Sequence, residues 1–240
     1  MSKIHPTAII DKSCEIDTSV EIGAYSVIGK NVSIQKNTII GPHVVISSNC
    51  EIGENNKIYQ FASLAEIPQD KKYQGEDCKL IIGAGNTIRE YCTINRGTKA
   101  GGNSITQVGN NNWIMAYVHI AHDCIVEDKV ILANGVQLGG HSEIHYHATV
   151  GGMSPVHQFC KVGQHSFIGG GRVALQDVPP FILANGEPLK YSGINSVGLR
   201  RRNFDIEKRN LIKRAYKLIY LSKHNRSQAI KEIKDTSINI

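Results

Sequence analysis

An aliphatic residue recurs at every sixth position along most of this chain, and that spacing leaves few folds open. The series runs Ile4, Ile10, Ile16, Ile22, Ile28, Ile34, Ile40, Ile46, Ile52, Ile58 and Leu64. It resumes at Ile82, Ile88 and Ile94, and again from Val108 through Ile114, Ile120, Val126, Leu132, Leu138, Ile144, Val150, Val156 and Val162 to Ile168. Two residues before each aliphatic stands a mostly small residue, such as Ala8, Cys14, Ser26, Thr38, Cys124 or Ser154. Side chains alternate along a strand, so both members of such a pair face the same way. The Gly, Asn and Asp that follow suit a corner. Six residues are too few for a hairpin and do not match the helical period. A face that narrow cannot be buried alone, so the hexads must coil and stack. Three hexads to a lap make a triangular prism, with residues eighteen apart lying over one another at about 4.8 Å, the spacing of strands.

Two segments interrupt the series. Residues 65–81 keep an eighteen-residue interval between Leu64 and Ile82 but place Asp70 and Glu76 where aliphatics belong. Residues 95–107 displace the register by eight. Both read as loops leaving a rigid scaffold, and such excursions tend to carry function. Val178-Pro179-Pro180 is expected to end the prism, because two prolines cannot continue a ladder. Residues 1–180 are thus read as a prism with loops at 65–81 and 95–107, and 181–240 as an extended segment with basic helices. Asp205 caps an expected helix to about Lys223, with Ile206, Leu211, Ala215, Leu218 and Ile219 on its apolar face. Ser227 is expected to cap a shorter one.

Charge is uneven. Residues 200–240 hold twelve Lys and Arg against four acids, so +8 sits there and −2 on the rest of a chain whose formal net charge is +6. That tail calls for an acidic partner, such as a phosphorylated small molecule or an acidic protein. It lacks the interleaved aromatics of a nucleic-acid surface, and no nucleic-acid partner is expected. No apolar run is long enough to span a bilayer, and the N-terminus lacks a signal-peptide apolar stretch, so a cytoplasmic protein without an integral membrane segment is expected. The six cysteines form no CxxC pair and read as reduced, buried thiols.

Seven of the ten histidines fall between residues 119 and 165. The eighteen-residue lap puts His119, His122, Asp123, His141 and His157 along one edge, with Gly140 over His122 and Gln158 over Gly140. His145, His147 and His165 belong to the neighbouring side. An imidazole beside a carboxylate suits general-base work, since the acid orients the ring and stabilises its charged form. A glycine one lap away lets a substrate carbonyl approach a backbone N–H, as an oxyanion requires. Zinc is the competing reading of a histidine cluster on such a prism. It needs three or four converging ligands, whereas His119 and His122 project differently and no H-x4-H pair is present, so no metal is expected.

The segments IYQFAS (58–63), PQDKKYQGE (68–76), IRE-Y-TINRGT (88–98), HIAHDC (119–124), ILAN (131–134), GGMSPVHQFCKVG (151–163), QDVPPF (176–181) and GLRRRNF (198–204) together resemble the UDP-N-acetylglucosamine O-acyltransferases of lipid A biosynthesis. The resemblance implies an all-β left-handed parallel β-helix with a small C-terminal α-helical part. It implies a homotrimer with active sites between subunits, and transfer of an (R)-3-hydroxyacyl chain from acyl carrier protein to the 3-position of the UDP-sugar. No cofactor is implied beyond the phosphopantetheine carried by that protein. His122 resembles the family's general base, Asp123 its partner, and Gly140 the oxyanion donor. His119, His141, His157 and Gln158 would place the sugar nucleotide and acyl chain, and Asp70 and Lys72 resemble acceptor-binding positions. Asn195, Arg201 and Arg202 resemble the contacts to the nucleotide and phosphopantetheine, and Gly170 matches the chain-length ruler.

Two departures stand out. The family's HRG reads Asn95-Arg96-Gly97 here, and an Asn at the acceptor contact cannot become cationic, which keeps a 3-amino sugar open as acceptor. The family's helical tail also runs further than Ile240. The alternatives are an acetyl-CoA-dependent transferase of the same fold, a zinc hydratase and a non-catalytic nucleic-acid scaffold.

Overall fold

The computed structural model describes residues 3–99 and 102–235. Strands of two to five residues line up in three sheets, two of eight strands and one of ten among the described residues. Up to Phe167–Ile168, consecutive strands go to different sheets in strict rotation, and the chain winds as a left-handed parallel β-helix. One sheet stacks Ile28, Ile46, Leu64, Ile94, Ile120, Leu138 and Val156. The second stacks Ile34, Ile52, Ile82, Val108, Val126, Ile144 and Val162. The third carries Ile22, Ile40, Ile58, Ile88, Ile114, Leu132, Val150 and Ile168. These aliphatics are at most 2% exposed and form one continuous core.

The small residue two positions earlier has a second duty. Its side chain donates to a carbonyl fifteen residues on: Ser26 Oγ to Gly41 O at 2.8 Å, Thr38 Oγ1 to Gly53 O at 2.9 Å, Ser154 Oγ to Gly169 O at 3.0 Å. Cysteines act alike, with Cys14 and Cys124 Sγ reaching the Gly29 and Gly139 carbonyls at the same interval and Cys92 Sγ reaching Met115 O across the 95–107 loop. Small hydroxyls and thiols thus cross-link laps that would otherwise leave corner carbonyls buried and unpaired. In one inner column asparagines take over. Asn56 Oδ1 accepts from Asn86 N, Asn86 Oδ1 from Asn112 N, and Asn112 Oδ1 from Val130 N, each at 2.7–2.8 Å.

From Tyr25 onward most corners turn through one residue of positive φ, for example Asn31 and Asn49, then Asp123, His141 and Phe159 in the same column. Asn, Asp and His tolerate that region better than branched residues do. On another corner Tyr25, His43, Phe61, Tyr91 and Tyr117 stack face to face at 4.9–5.3 Å.

The two interruptions are loops, as expected, but the first is counted differently. Ile82 stacks on Ile52, while Leu64 lies beside Ile46 in another sheet. The eighteen residues from Leu64 to Ile82 are therefore one side of the prism plus an excursion, and not a full lap. The ladder also continues past Pro179-Pro180. These prolines occupy a corner, where no ladder hydrogen bond is needed, and Ile182–Asn185 pairs in parallel with Phe167 and Ile168. The chain then reverses into Lys190–Ile194, an antiparallel partner of that strand.

Three helices follow: α1 (Ser196–Arg201), α2 (Ile206–Leu221) and α3 (Arg226–Asp235). Asp205 caps α2, accepting from Lys208 N at 2.7 Å. The buried face of α2 is Ile212, Ala215 and Tyr216, whereas Ile206 is 66% exposed. Ile212 and Tyr216 are the residues that the expected apolar face lacked, and the Tyr216 hydroxyl donates to Pro180 O at 2.6 Å while its ring stacks on Tyr191. Asn225, and not Ser227, caps α3, in a reciprocal pair with Gln228.

Candidate active site

One corner of the prism, between the Ile120 and Val126 columns, gathers the groups that can move a proton. His122 and Asp123 form that corner on one lap, and Gly140 and His141 form it on the next, tied by His141 N to His122 O at 3.1 Å. His122 Nδ1 lies 2.8 Å from Asp123 Oδ2, and His141 Nε2 lies 3.8 Å from the same oxygen. The two imidazoles meet edge to face at 5.2 Å. A carboxylate in this position makes Nδ1 the protonated nitrogen and leaves Nε2 as the base. That Nε2 lies across Gly140, where a Cβ would stand 2.8 Å from it. No carbonyl among the described residues takes the Gly140 N–H.

Asp123 is 8% exposed and needs donors. Burial pushes its carboxyl up, but hydrogen bonds from His122 and from the hydroxyl and backbone N–H of Thr98, together with His141, outweigh this and hold it below the ordinary carboxylate value. It is therefore ionised whenever the base is needed.

The remaining expected site residues spread further. Half-buried His119 sits on the strand face before the corner, its Nδ1 2.7 Å from Thr93 Oγ1. Burial and then the neighbouring His122 push its pKa down, which keeps it neutral. His157 and Gln158 follow on the next lap of the same corner, exposed, with His157 Nδ1 3.1 Å from Gln158 O. Asn95 is 3% exposed; its Nδ2 donates to Ile67 O at 3.0 Å and its Oδ1 has no partner. Asp70 and Lys72 lie in the 65–81 loop, where Asp70 Oδ1 accepts from Lys72 N at 2.9 Å, and no hydrogen bond or ion pair among the described residues joins them to His122.

Asn195 and Arg202 belong to a different corner. Asn195 caps α1 through Gly198 N, and its Nδ2 donates to His165 O at 2.9 Å. Arg202 approaches His165 Nδ1 at 3.4 Å, while Arg201 is exposed. His165, which the lap count places on the neighbouring side, is the centre of this corner, stacked on His147 and Phe181 with Phe204 edge-on. Burial, then Arg202 and His147, push its pKa down to about 4. Gly170 stands exposed on the third corner, where a Cβ would make an ordinary 3.4 Å contact with Gly152 O.

Sequence reasoning missed Thr98, Gly102 and Thr106, all from the 95–107 loop and the strand that follows it. Thr98 supplies three contacts to Asp123, Thr106 Oγ1 accepts from Asp123 N at 2.8 Å, and a Cβ on Gly102 would stand 2.1 Å from Asp123 Oδ1. The only available signal was that a loop broke the register next to this corner. His122, Asp123 and His141 bring three ligand-type atoms within 4.8 Å. Of these, His122 Nδ1 is already engaged with the Asp123 carboxylate.

Comparisons with known proteins point the same way. A family model described as Udp N-acetylglucosamine O-acyltransferase, domain 2, matches residues 177–239, and a bacterial transferase hexapeptide model matches 31–65 and 105–140. The chain is 56% identical over 220 residues to the acyl-(acyl-carrier-protein)–UDP-N-acetylglucosamine O-acyltransferase of Thiobacillus denitrificans, covering 92% of this chain and 85% of that one. It is 56% identical over 222 residues to the protein of the same description from Herminiimonas arsenicoxydans, covering 92% and 84%. Among solved structures, the UDP-N-acetylglucosamine O-acyltransferase of Moraxella catarrhalis superposes with a TM-score of 0.95 at 45% identity, over 98% of this chain and 91% of that one. The UDP-N-acetylglucosamine acyltransferase of Francisella novicida gives 0.94 at 41%, over 98% and 86%.

Proposed function

The chain belongs to the acyl-(acyl-carrier-protein)–UDP-N-acetylglucosamine O-acyltransferase family, and from that premise we propose that His122 is the base that delivers an (R)-3-hydroxyacyl chain to the sugar's 3-position. His122 Nε2 takes the proton of the acceptor hydroxyl as its oxygen attacks the thioester carbonyl. Asp123 steadies the imidazolium without becoming protonated itself. The Gly140 N–H donates to the oxyanion of the tetrahedral intermediate. Collapse breaks the carbon–sulfur bond, and the phosphopantetheine thiolate takes the proton back from His122. The observation that carries this reading is the 2.8 Å Nδ1–Oδ2 pair with Nε2 lying across Gly140.

The sugar nucleotide and the donor fall to the other expected residues. His119, His141, His157 and Gln158 would place the sugar nucleotide and the acyl chain, Asn95, Asp70 and Lys72 would hold the acceptor, and Asn195, Arg201 and Arg202 the nucleotide and the donor's phosphopantetheine. Gly170 would admit the end of the acyl chain. In one subunit these groups occupy three separate corners, which supports a site completed by a second copy within a homotrimer. The +8 carried by residues 200–240 suits an acidic carrier protein.

The test is product analysis by mass spectrometry. The purified protein receives hydroxyacyl carrier proteins of several chain lengths, or acetyl-CoA, with UDP-N-acetylglucosamine or its 3-amino analogue. The expected product is the 3-O-acyl sugar nucleotide from the carrier-borne donor. His122→Ala should cost about 10²–10⁴ in kcat, the range that general-base catalysis contributes, with its melting temperature unchanged. A His122→Ala enzyme turning over normally ends this mechanism.

A further inference from the structure

We propose that Thr98 is a positioning residue for the reaction, holding the Asp123 carboxylate in the orientation that keeps His122 aligned as base. The inference rests on the reading of His122 given above. It starts from a need the prism cannot meet. Asp123 occupies a corner, and along the same column the corner residues include Asn31, Asn49, His141 and Phe159. The next lap offers it His141 Nε2 only at 3.8 Å. A carboxylate left with one close donor, His122, could swing about its own bonds and carry the imidazole with it.

The 95–107 loop answers that need. Thr98, 1% exposed, sends its N–H to Oδ1 at 3.0 Å and to Oδ2 at 3.1 Å, and its hydroxyl to Oδ2 at 2.6 Å. The hydroxyl therefore shares Oδ2 with His122 Nδ1, which fixes the lone pair that faces the ring. Gly102 leaves the carboxylate its place, since any side chain there would meet Asp123 Oδ1. Thr106 Oγ1 takes the Asp123 N–H, so backbone and side chain are both fixed by this one excursion. The loop does not depend on the Thr98 hydroxyl for its own path: Ser104 N donates to Thr98 O at 3.0 Å and Gly97 N to Lys79 O at 3.2 Å. The titratable groups facing Asp123 are His122, His141 and the thiols of Cys78 and Cys124; burial raises both thiols, so they stay uncharged.

The experiment compares Thr98→Val, Thr98→Ser and Gly102→Ala with the intact enzyme and with His122→Ala, measuring kcat and KM across pH and melting temperature. Thr98→Val keeps the backbone donor and loses the hydroxyl. Its kcat should fall about 10- to 100-fold with KM unmoved, the cost of slight misalignment at a reacting centre. Its acidic limb should move to higher pH, because a carboxylate with one donor fewer is more basic and holds the proton of the facing imidazolium more tightly. Thr98→Ser should restore both. Gly102→Ala, which pushes on the same carboxylate, should repeat the loss if Thr98→Val does not fold. Wild-type kcat in Thr98→Val and Gly102→Ala, or a loss uniform across pH that Ser does not rescue, overturns the inference. An inactive His122→Ala beside an unaffected Thr98→Val removes only the role of Thr98. An active His122→Ala removes the general-base reading itself.

Discussion

Replacing Gly140 by alanine separates the chemistry of this corner from its folding. Gly140 is not among the glycines held at positive φ, so an alanine meets no backbone strain there. Its Cβ would stand 2.7 Å from His122 Cε1, 2.8 Å from Nε2 and 3.3 Å from Nδ1, so that ring holds its three nearest atoms. Carbon–carbon contacts settle near 3.5–4.0 Å, so the imidazole must retreat by about 1 Å. A retreat of that size stretches the 2.8 Å bond to Asp123 beyond hydrogen-bonding range. The stability cost is small: losing one such bond costs about 1 kcal/mol, and the Gly-to-Ala change returns about 0.4–1 kcal/mol through the unfolded chain. A 1 Å misplacement at a reacting centre, in contrast, costs about a hundredfold in rate. Steady-state kinetics beside a thermal melt should therefore show kcat down by about 10²-fold and a melting temperature within a few degrees of the parent. An alanine enzyme with kcat within about threefold of wild type would refute the argument that the ring needs the bare backbone.

Two further outcomes concern the scaffold. Asn86→Leu strips the acceptor of Asn112 N and the donor to Gly109 O inside the inner column, and urea unfolding should show a loss of about 2–3 kcal/mol for the two stranded groups. His165 is a base whose folded pKa lies near 4 against an ordinary 6.5, so below 6.5 the unfolded chain takes a proton that the folded chain refuses. Stability should then fall as pH drops from about 6.5 to about 4, and His165→Phe, which keeps the stack between His147 and Phe181, should flatten that slope in urea melts taken across this range.

The prism was legible because each lap repeats the same local demand. An aliphatic, a small donor and a corner residue appear in every hexad, so errors in one lap are corrected by the next. The meeting of Asp123 with His141 followed directly from their separation of one lap. Where the pattern lapsed, counting failed. The interval from Leu64 to Ile82 equals a lap only by coincidence, and the sequence contains nothing that distinguishes a lap from a side plus a loop. Pro179-Pro180 misled for a related reason: a ladder cannot hold proline, but a corner can. On α2, periodicity placed Ile206 inward, yet the helix is docked by Tyr216, whose hydroxyl needed a carbonyl that only the folded corner provides. Thr98 was invisible because loops carry no period, and His165 because its neighbours Phe204 and Arg202 come from beyond the repeats.

The reversal at Lys190–Ile194 gives the rod a stopping point. Coiled strands that all run one way leave a row of free peptide groups at each extremity, ready to be extended by another molecule. Here the final strand is met by one running backwards, and α2 is pinned over the tip through Tyr216. Pairing of another molecule onto this extremity would first have to displace that reversed strand and the helix packed against it.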